Sequence, residues 1–274
     1  MALQLHAEPA RRRQLARDDR SEVRIAVCPS GRPSERPSEP PPPERDVLAE
    51  ARAADAAASP ADLGALWQDF MAGRLRLDAA VSGPERHYVF LRVHPTPGVR
   101  LRALETTVLV RVFCGEQQKF VAAELSIACS TASKWFTLGV AKLGLGRRSV
   151  PLPLIVAAQA WSPSAGLEGR EGPSVAARST VVRREGKPMV LLSVPRPSIA
   201  PRLLTRAEED VAALVAEGRS RWEIAVMRAK SAQTIACQLR GVYAKLAVGN
   251  RYALVRRGLE LGWFSASQAE RAAP

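Results

Sequence analysis

Gln233 and Arg240 stand on one stripe of a helix that would begin at Ser231, with Ala236 and Cys237 between them. A glutamine and an arginine projecting together suit hydrogen bonding to base edges or to phosphates. Ser231, Thr234 and Lys245 could hold a phosphate backbone around that stripe, and Arg228 and Lys230 add charge just before it. On the other side Ile235, Leu239, Val242 and Leu246 recur at three- and four-residue spacing, with Tyr243 beside them, and would face a core. Any amphipathic helix has a solvated side, so the elements around this one must decide what its polar face is for.

Those elements are written into residues 204–262. Thr205 stands three residues before Glu208, and Ser220 three before Glu223. Both pairs are capping boxes, in which the hydroxyl accepts from a free backbone N–H and the carboxylate reaches back. Ser231, three before Thr234, opens the third helix, and Gly218 can end the first by taking a left-handed backbone. A short helix, a tight turn and a longer helix can place one helix across a phosphate backbone and the next in a major groove.

The whole stretch resembles the LuxR (GerE-type) helix-turn-helix domain of bacterial transcription regulators. Leu204-Thr205, Glu208, Val211, Leu214, Gly218, Ser220, Glu223-Ile224-Ala225, Ser231, Thr234-Ile235, Leu239, Tyr243, Lys245-Leu246 and Asn250-Arg251 carry the resemblance. It implies that the helix from Ser231 is the recognition helix and that the last helix, Arg251 to Leu261, is a dimer surface. Ala236 stands where the family usually has a basic residue. Arg228 and Lys230 stand where it has Leu and Ile, and they could snorkel to phosphates or leave the turn loosely packed.

The charge agrees with an anionic partner. The chain of 274 residues carries a formal net charge of +13. Residues 1–60 hold ten charges of each sign, whereas residues 204–262 hold ten Lys and Arg against six Asp and Glu. An excess confined to the folded part is what counterion release on a phosphate backbone requires, although solubility alone would also account for it. Cys28, Cys114, Cys129 and Cys237 have no CxxC spacing, and His6, His87 and His94 are dispersed, so neither zinc nor a disulfide framework is supported. No GxSxG, P-loop or HExxH is present, which argues against an enzyme, and no cofactor is expected. No apolar run approaches a membrane span and no signal peptide is read, so a reduced, cytoplasmic, nucleoid-associated protein is expected.

Residues 1–58 should lack a fixed fold, because seven prolines from Pro29 to Arg45 lie among Ser, Arg and Glu. Exceptions are a short strand at Val23 to Val27 and an alanine-rich helix from Asp46 to Ala58. A helix follows from Leu63, Leu66, Trp67 and Phe70, and a hairpin from Arg74 to Val93 around Gly83-Pro84-Glu85. Shifting the chain by 103 residues then lays 101–158 over 204–261 without a gap, with twelve identities, among them Glu105 with Glu208, Gly115 with Gly218 and Lys142 with Lys245. A second hairpin, Ala177 to Val194, precedes the later copy as the first precedes the earlier one.

The expected fold is therefore mainly α with two β-hairpins (α+β), built as tandem four-helix helix-turn-helix domains, each preceded by a hairpin. Its divisions are 1–58, 59–160 (hairpin and degenerate copy), 161–203 (linker and hairpin), 204–262 (the helix-turn-helix domain) and a tail, 263–274. In the earlier copy Phe120 replaces the Glu and Ala128 the capping Ser, which costs about 1 kcal/mol unless Cys129 or Ser130 shifts the helix start. Its exposed stripe offers Ser130, Ser133, Lys134 and Thr137, with Thr131 a further candidate contact, and the copy is either a DNA-binding module or a packing partner for the later one. Pro151 and Pro153 should make its fourth helix start near Leu154 or differ in shape. The partner implied is double-stranded DNA, read by a transcription regulator. The rival is a protein-interaction module for RNA polymerase or another regulator.

Overall fold

The computed structural model describes residues 44–94, 98, 101–145, 150–161, 175–199 and 203–265. The strand expected at Val23 to Val27 lies outside them. A helix, α1, runs from Glu44 to Asp55, and α2 from Leu63 to Met71, the latter capped by Asp62 accepting from Ala65 N–H at 2.9 Å. Two strands follow, β2 (Leu75–Ser82) and β3 (Arg86–Val93), after the two-residue β1 (Ser59–Pro60). The later hairpin is β4 (Arg178–Arg184) and β5 (Lys187–Pro195). Its turn residues, Glu185 and Gly186, both have positive φ (51° and 73°). That is the turn whose twist matches two flanking antiparallel strands.

The chain is mainly helical, with a hairpin before each helical bundle. The first bundle comprises α3 (Ala103–Phe113), α4 (Gln118–Glu124), α5 (Cys129–Lys142) and α6 (Leu152–Trp161). The second comprises α7 (Arg206–Ala216), α8 (Arg221–Met227), α9 (Ala232–Lys245) and α10 (Arg251–Glu260). The first three helices of each set begin and end 103 residues apart. So do the left-handed positions between them: Gly115 and Gly218, Ser126 and Ala229, Gly144 and Ala247.

The fourth helices break that register. Helix α6 starts at Leu152, with Pro151 just before it and Pro153 in its first turn, where no intrahelical N–H bond is lost. It is buried on every side from Leu152 to Gln159 and packs along α2. The buried amide of Gln159 donates to Phe113 O (2.9 Å) and Tyr252 O (2.8 Å), tying α6 to α3 and to α10. Phe113 is the aromatic hub, with Trp67, Phe136 and Tyr252 at centroid distances of 5.8, 5.7 and 5.3 Å.

The hairpins join in one five-stranded sheet, order β1-β4-β5-β3-β2. At its centre β3 pairs antiparallel with β5, and Val89 lies opposite Leu192, the residue 103 positions later. Arg86 opposite Pro195 and Arg92 opposite Met189 complete a reciprocal register. The turns repeat it. A Cβ on Gly115 would lie 2.8 Å from Ala253 Cα, and one on Gly218 would lie 3.5 Å from Val150 O, Val150 standing 103 residues before Ala253. Contacts of i with j matched by j with i are the mark of a two-fold interface. An approximate two-fold axis thus passes through the sheet between Val89 and Leu192.

The sheet's faces differ. Tyr88, Phe90, Met189 and Leu191 pack under Val47 and Ala51 of α1. There the buried Arg86 lies 3.3 Å from Asp55 and donates to Ser193 Oγ at 3.1 Å. Val89, Leu91, Leu192 and Val194 face the main core, which holds residues of both bundles. Both bundles therefore lie on the same side of the sheet.

Candidate nucleic-acid interface

The later bundle builds its turns from its own polar side chains. Thr205 Oγ1 accepts from Glu208 N–H (3.4 Å) while Glu208 accepts from Thr205 N–H (2.8 Å). Ser220 and Glu223 repeat that reciprocal pair at 3.3 and 2.7 Å. Ser231 Oγ accepts from Thr234 N–H at 3.0 Å and starts α9. Three orphan ends are satisfied locally, so each helix starts where its cap stands.

Helix α9 sorts its residues by face as its spacing predicts. Ile235 and Val242 are fully buried and Leu246 nearly so. Gln233, Thr234, Cys237 and Arg240 are exposed, with Ala236 half-buried at the margin. Lys230 and Ser231 are exposed at the N-terminal end. Neither Lys230 nor Arg240 has an ion-pair partner among the described residues, so both charges face solvent. A helix N-terminus bordered by free cations attracts anions.

Two other cations read from the sequence are engaged within the bundle. Arg228 Nη1 donates to Asp210 at 2.6 Å, across from α8 to α7. Lys245 Nζ lies 2.7 Å from Glu208 Oε2, and Lys245 with the Thr205 backbone N–H holds that carboxyl at about 2. Gly241 makes room for it, because a Cβ there would stand 2.8 Å from Glu208 Oε1. The exposed face that is brought together is thus Lys230, Ser231, Gln233, Thr234, Cys237 and Arg240, with Lys245 braced at the far end of α9.

The earlier bundle has the same helix frame with fewer capping side chains. Lys142 Nζ lies 2.5 Å from Glu105 Oε2, the counterpart of Lys245 and Glu208. Glu105 also accepts from Arg102 N–H at 2.9 Å, and that bond, ahead of Lys142, draws its carboxyl below the usual range. The start of α5 does not shift: it begins at Cys129, after Ala128, which supplies no side-chain bond. Ser130, Ser133 and Lys134 are exposed, while Thr131 and Thr137 are half-buried.

Two features were not anticipated from the residues. Trp222, Val226 and Met227 leave an apolar patch on α8, 67%, 81% and 57% exposed. Their spacing on a seven-residue helix was a signal, but the face it defined could have been core. Second, Glu217 at the end of α7 is buried between His87 of β3, 3.6 Å away, and Arg196, 2.5 Å away. Burial opposes its charge, yet His87 and Arg196 outweigh it and hold its carboxyl below the usual range.

Among the described residues no group of three or more His, Cys, Asp or Glu could hold a metal ion, and no helix is long and apolar enough to cross a membrane. No curated protein and no solved structure matches the chain. Residues 202–257 match the family described as bacterial regulatory proteins, luxR family (GerE). The caps, the turn and the two-faced α9 lie within that match. The C-terminal part of this chain carries a GerE-type helix-turn-helix domain of the luxR family.

Proposed function

We propose that the protein is a sequence-specific, double-stranded DNA-binding transcription regulator of the cytoplasm, associated with the nucleoid. Residues 204–262 form its reading domain, residues 59–160 a degenerate copy of the same domain with its hairpin, and 161–203 the connecting linker and hairpin. The observation that carries the reading is the unobstructed polar face of α9 inside a family-matched segment. Gln233 and Arg240 contact base edges or phosphates in the major groove. Lys230, Ser231 and Thr234 hold the backbone, with Cys237 in the same face, and Arg228 and Lys245 act as braced cations at its margins.

Mobility shifts with duplexes selected from a random pool test this. A chain neutralising about six phosphates loses roughly a thousandfold in affinity between about 50 and 200 mM salt. Arg240→Ala should cost about 1–3 kcal/mol and relax sequence preference. Absence of a complex at physiological salt would overturn the reading.

A second reading is favoured by Trp222, Val226 and Met227. Exposed apolar side chains clustered on one short helix fit a protein partner, either RNA polymerase or another regulator. Trp222→Ala should weaken such a partner's binding and leave a DNA complex intact.

A further inference from the structure

Tandem domains on one chain most simply follow one another along a duplex in the same orientation. The sheet at the centre of this fold forbids that simple arrangement. β3 and β5 run antiparallel with Val89 opposite Leu192, and the turn at Gly115 touches Ala253 as the turn at Gly218 touches Val150. The two clefts beside those turns repeat the exchange: Gly115 and Glu116 face Ala253 and Arg256 in one, Gly218 and Arg219 face Val150 and Pro153 in the other. Each residue of either set is 103 positions from its counterpart. The halves are therefore related by rotation rather than by translation.

Helix α10, the element that the family resemblance makes a dimer surface, is already occupied. Asn250 Nδ2 donates to Gly115 O at 2.9 Å, and Tyr252 packs 5.3 Å from Phe113. Leu254, Val255 and Leu259 are buried in the shared core. The surface for a second copy is filled by the chain's own first bundle. Meanwhile α5 and α9 belong to bundles on the same side of the sheet, and each keeps an exposed polar face: Ser130, Ser133 and Lys134 on one, Gln233, Cys237 and Arg240 on the other.

We propose that one chain acts as a covalent dimer, with α5 and α9 engaging two oppositely oriented halves of one duplex site. This rests on the DNA-binding reading above. A two-fold axis in a protein is mirrored by inverted half-sites in the DNA it binds. Linking both modules rigidly replaces a second binding event by an intramolecular one.

The exposed thiols of Cys129 on α5 and Cys237 on α9 report on the two helices separately, and the buried Cys114 serves as an unreactive reference. The full-length chain is alkylated with and without a selected duplex, and each cysteine is followed by peptide mass mapping. Complex stoichiometry comes from sedimentation, and backbone protection on both strands from hydroxyl-radical footprinting. With duplex at about 100 times its dissociation constant, both thiols should slow by about a hundredfold in a complex of one chain per duplex. The footprint should contain two patches that exchange strands about a central point. Protection of Cys237 alone, two chains per duplex, or a footprint that repeats by translation along one strand would overturn this inference and leave the DNA-binding reading standing. No complex under any of these conditions would overturn both.

Discussion

Lys245 Nζ sits 2.7 Å from Glu208 Oε2, and in the earlier bundle Lys142 Nζ sits 2.5 Å from Glu105 Oε2, so the last turn of each third helix is pinned to the first turn of its bundle. In both cases the carboxylate also caps its own helix start.

A pH dependence follows. The carboxyls of Glu105, Glu208, Glu217 and Glu223 all lie below their ordinary value in the folded chain, Glu208 at about 2. A group whose folded pKa is depressed contributes stability above its unfolded pKa, and that contribution is lost as pH falls through the folded value. Denaturant midpoints should therefore decline from about pH 4.5, near the ordinary glutamate pKa, downward. Glu208→Gln should lower the midpoint at pH 7 and flatten the decline. An unchanged pH profile in that variant would contradict the pairing.

Ala128 precedes α5 without a side-chain bond, where Ser231 caps α9. Ala128→Ser should stabilise the chain by about 1 kcal/mol in equilibrium unfolding. Ser231→Ala should destabilise it by a similar amount.

The turn glycines separate two effects that are often merged. Both Gly115 and Gly218 have left-handed backbone, φ 98° and 92°, so alanine is strained at either. Only at Gly115 would the new Cβ also strike backbone, at 2.8 Å from Ala253 Cα. Gly218→Ala should cost about 1–2 kcal/mol and Gly115→Ala more, by about 1 kcal/mol or greater. Thermal or chemical denaturation of the pair reads the difference directly.

Gln159 offers a test of how the bundles are joined. Its amide serves carbonyls on two different helices. Gln159→Leu would strand Phe113 O at the end of α3, whereas Tyr252 O, inside α10, keeps its intrahelical donor. A buried carbonyl left without a donor costs about 1–3 kcal/mol, and a loss of that size in chemical denaturation is expected.

Much of this arrangement was legible in the residues themselves. The capping pairs at Thr205, Ser220 and Ser231 marked helix starts that the structure keeps, and the 103-residue shift holds to the residue for three helices of each bundle. What escaped was non-local. The pairing of β3 with β5 joins strands about a hundred residues apart, and period-two alternation says which face a strand buries but not which neighbour it takes. Separation along the chain also hid the fate of two cations. Arg228 and Lys245 look free when read along the chain, because Asp210 and Glu208 lie 18 and 37 residues upstream and come alongside only once the helices pack. The early helix confined to Glu44–Asp55 and the start of α6 at Leu152 show the usual drift of boundaries set by tertiary packing.

The shared sheet also bears on how the protein can change. In an assembly of two identical copies, every substitution is made twice, so both copies change together. Here Gln233 and Arg240 have no counterpart forced upon Lys134 and its neighbours, because one gene specifies each half on its own. Mutation can alter one exposed helix face while the strands at Val89 and Leu192 hold the other in place; under the proposed function, a lopsided target would be open to this chain where a symmetric pair would need a balanced one.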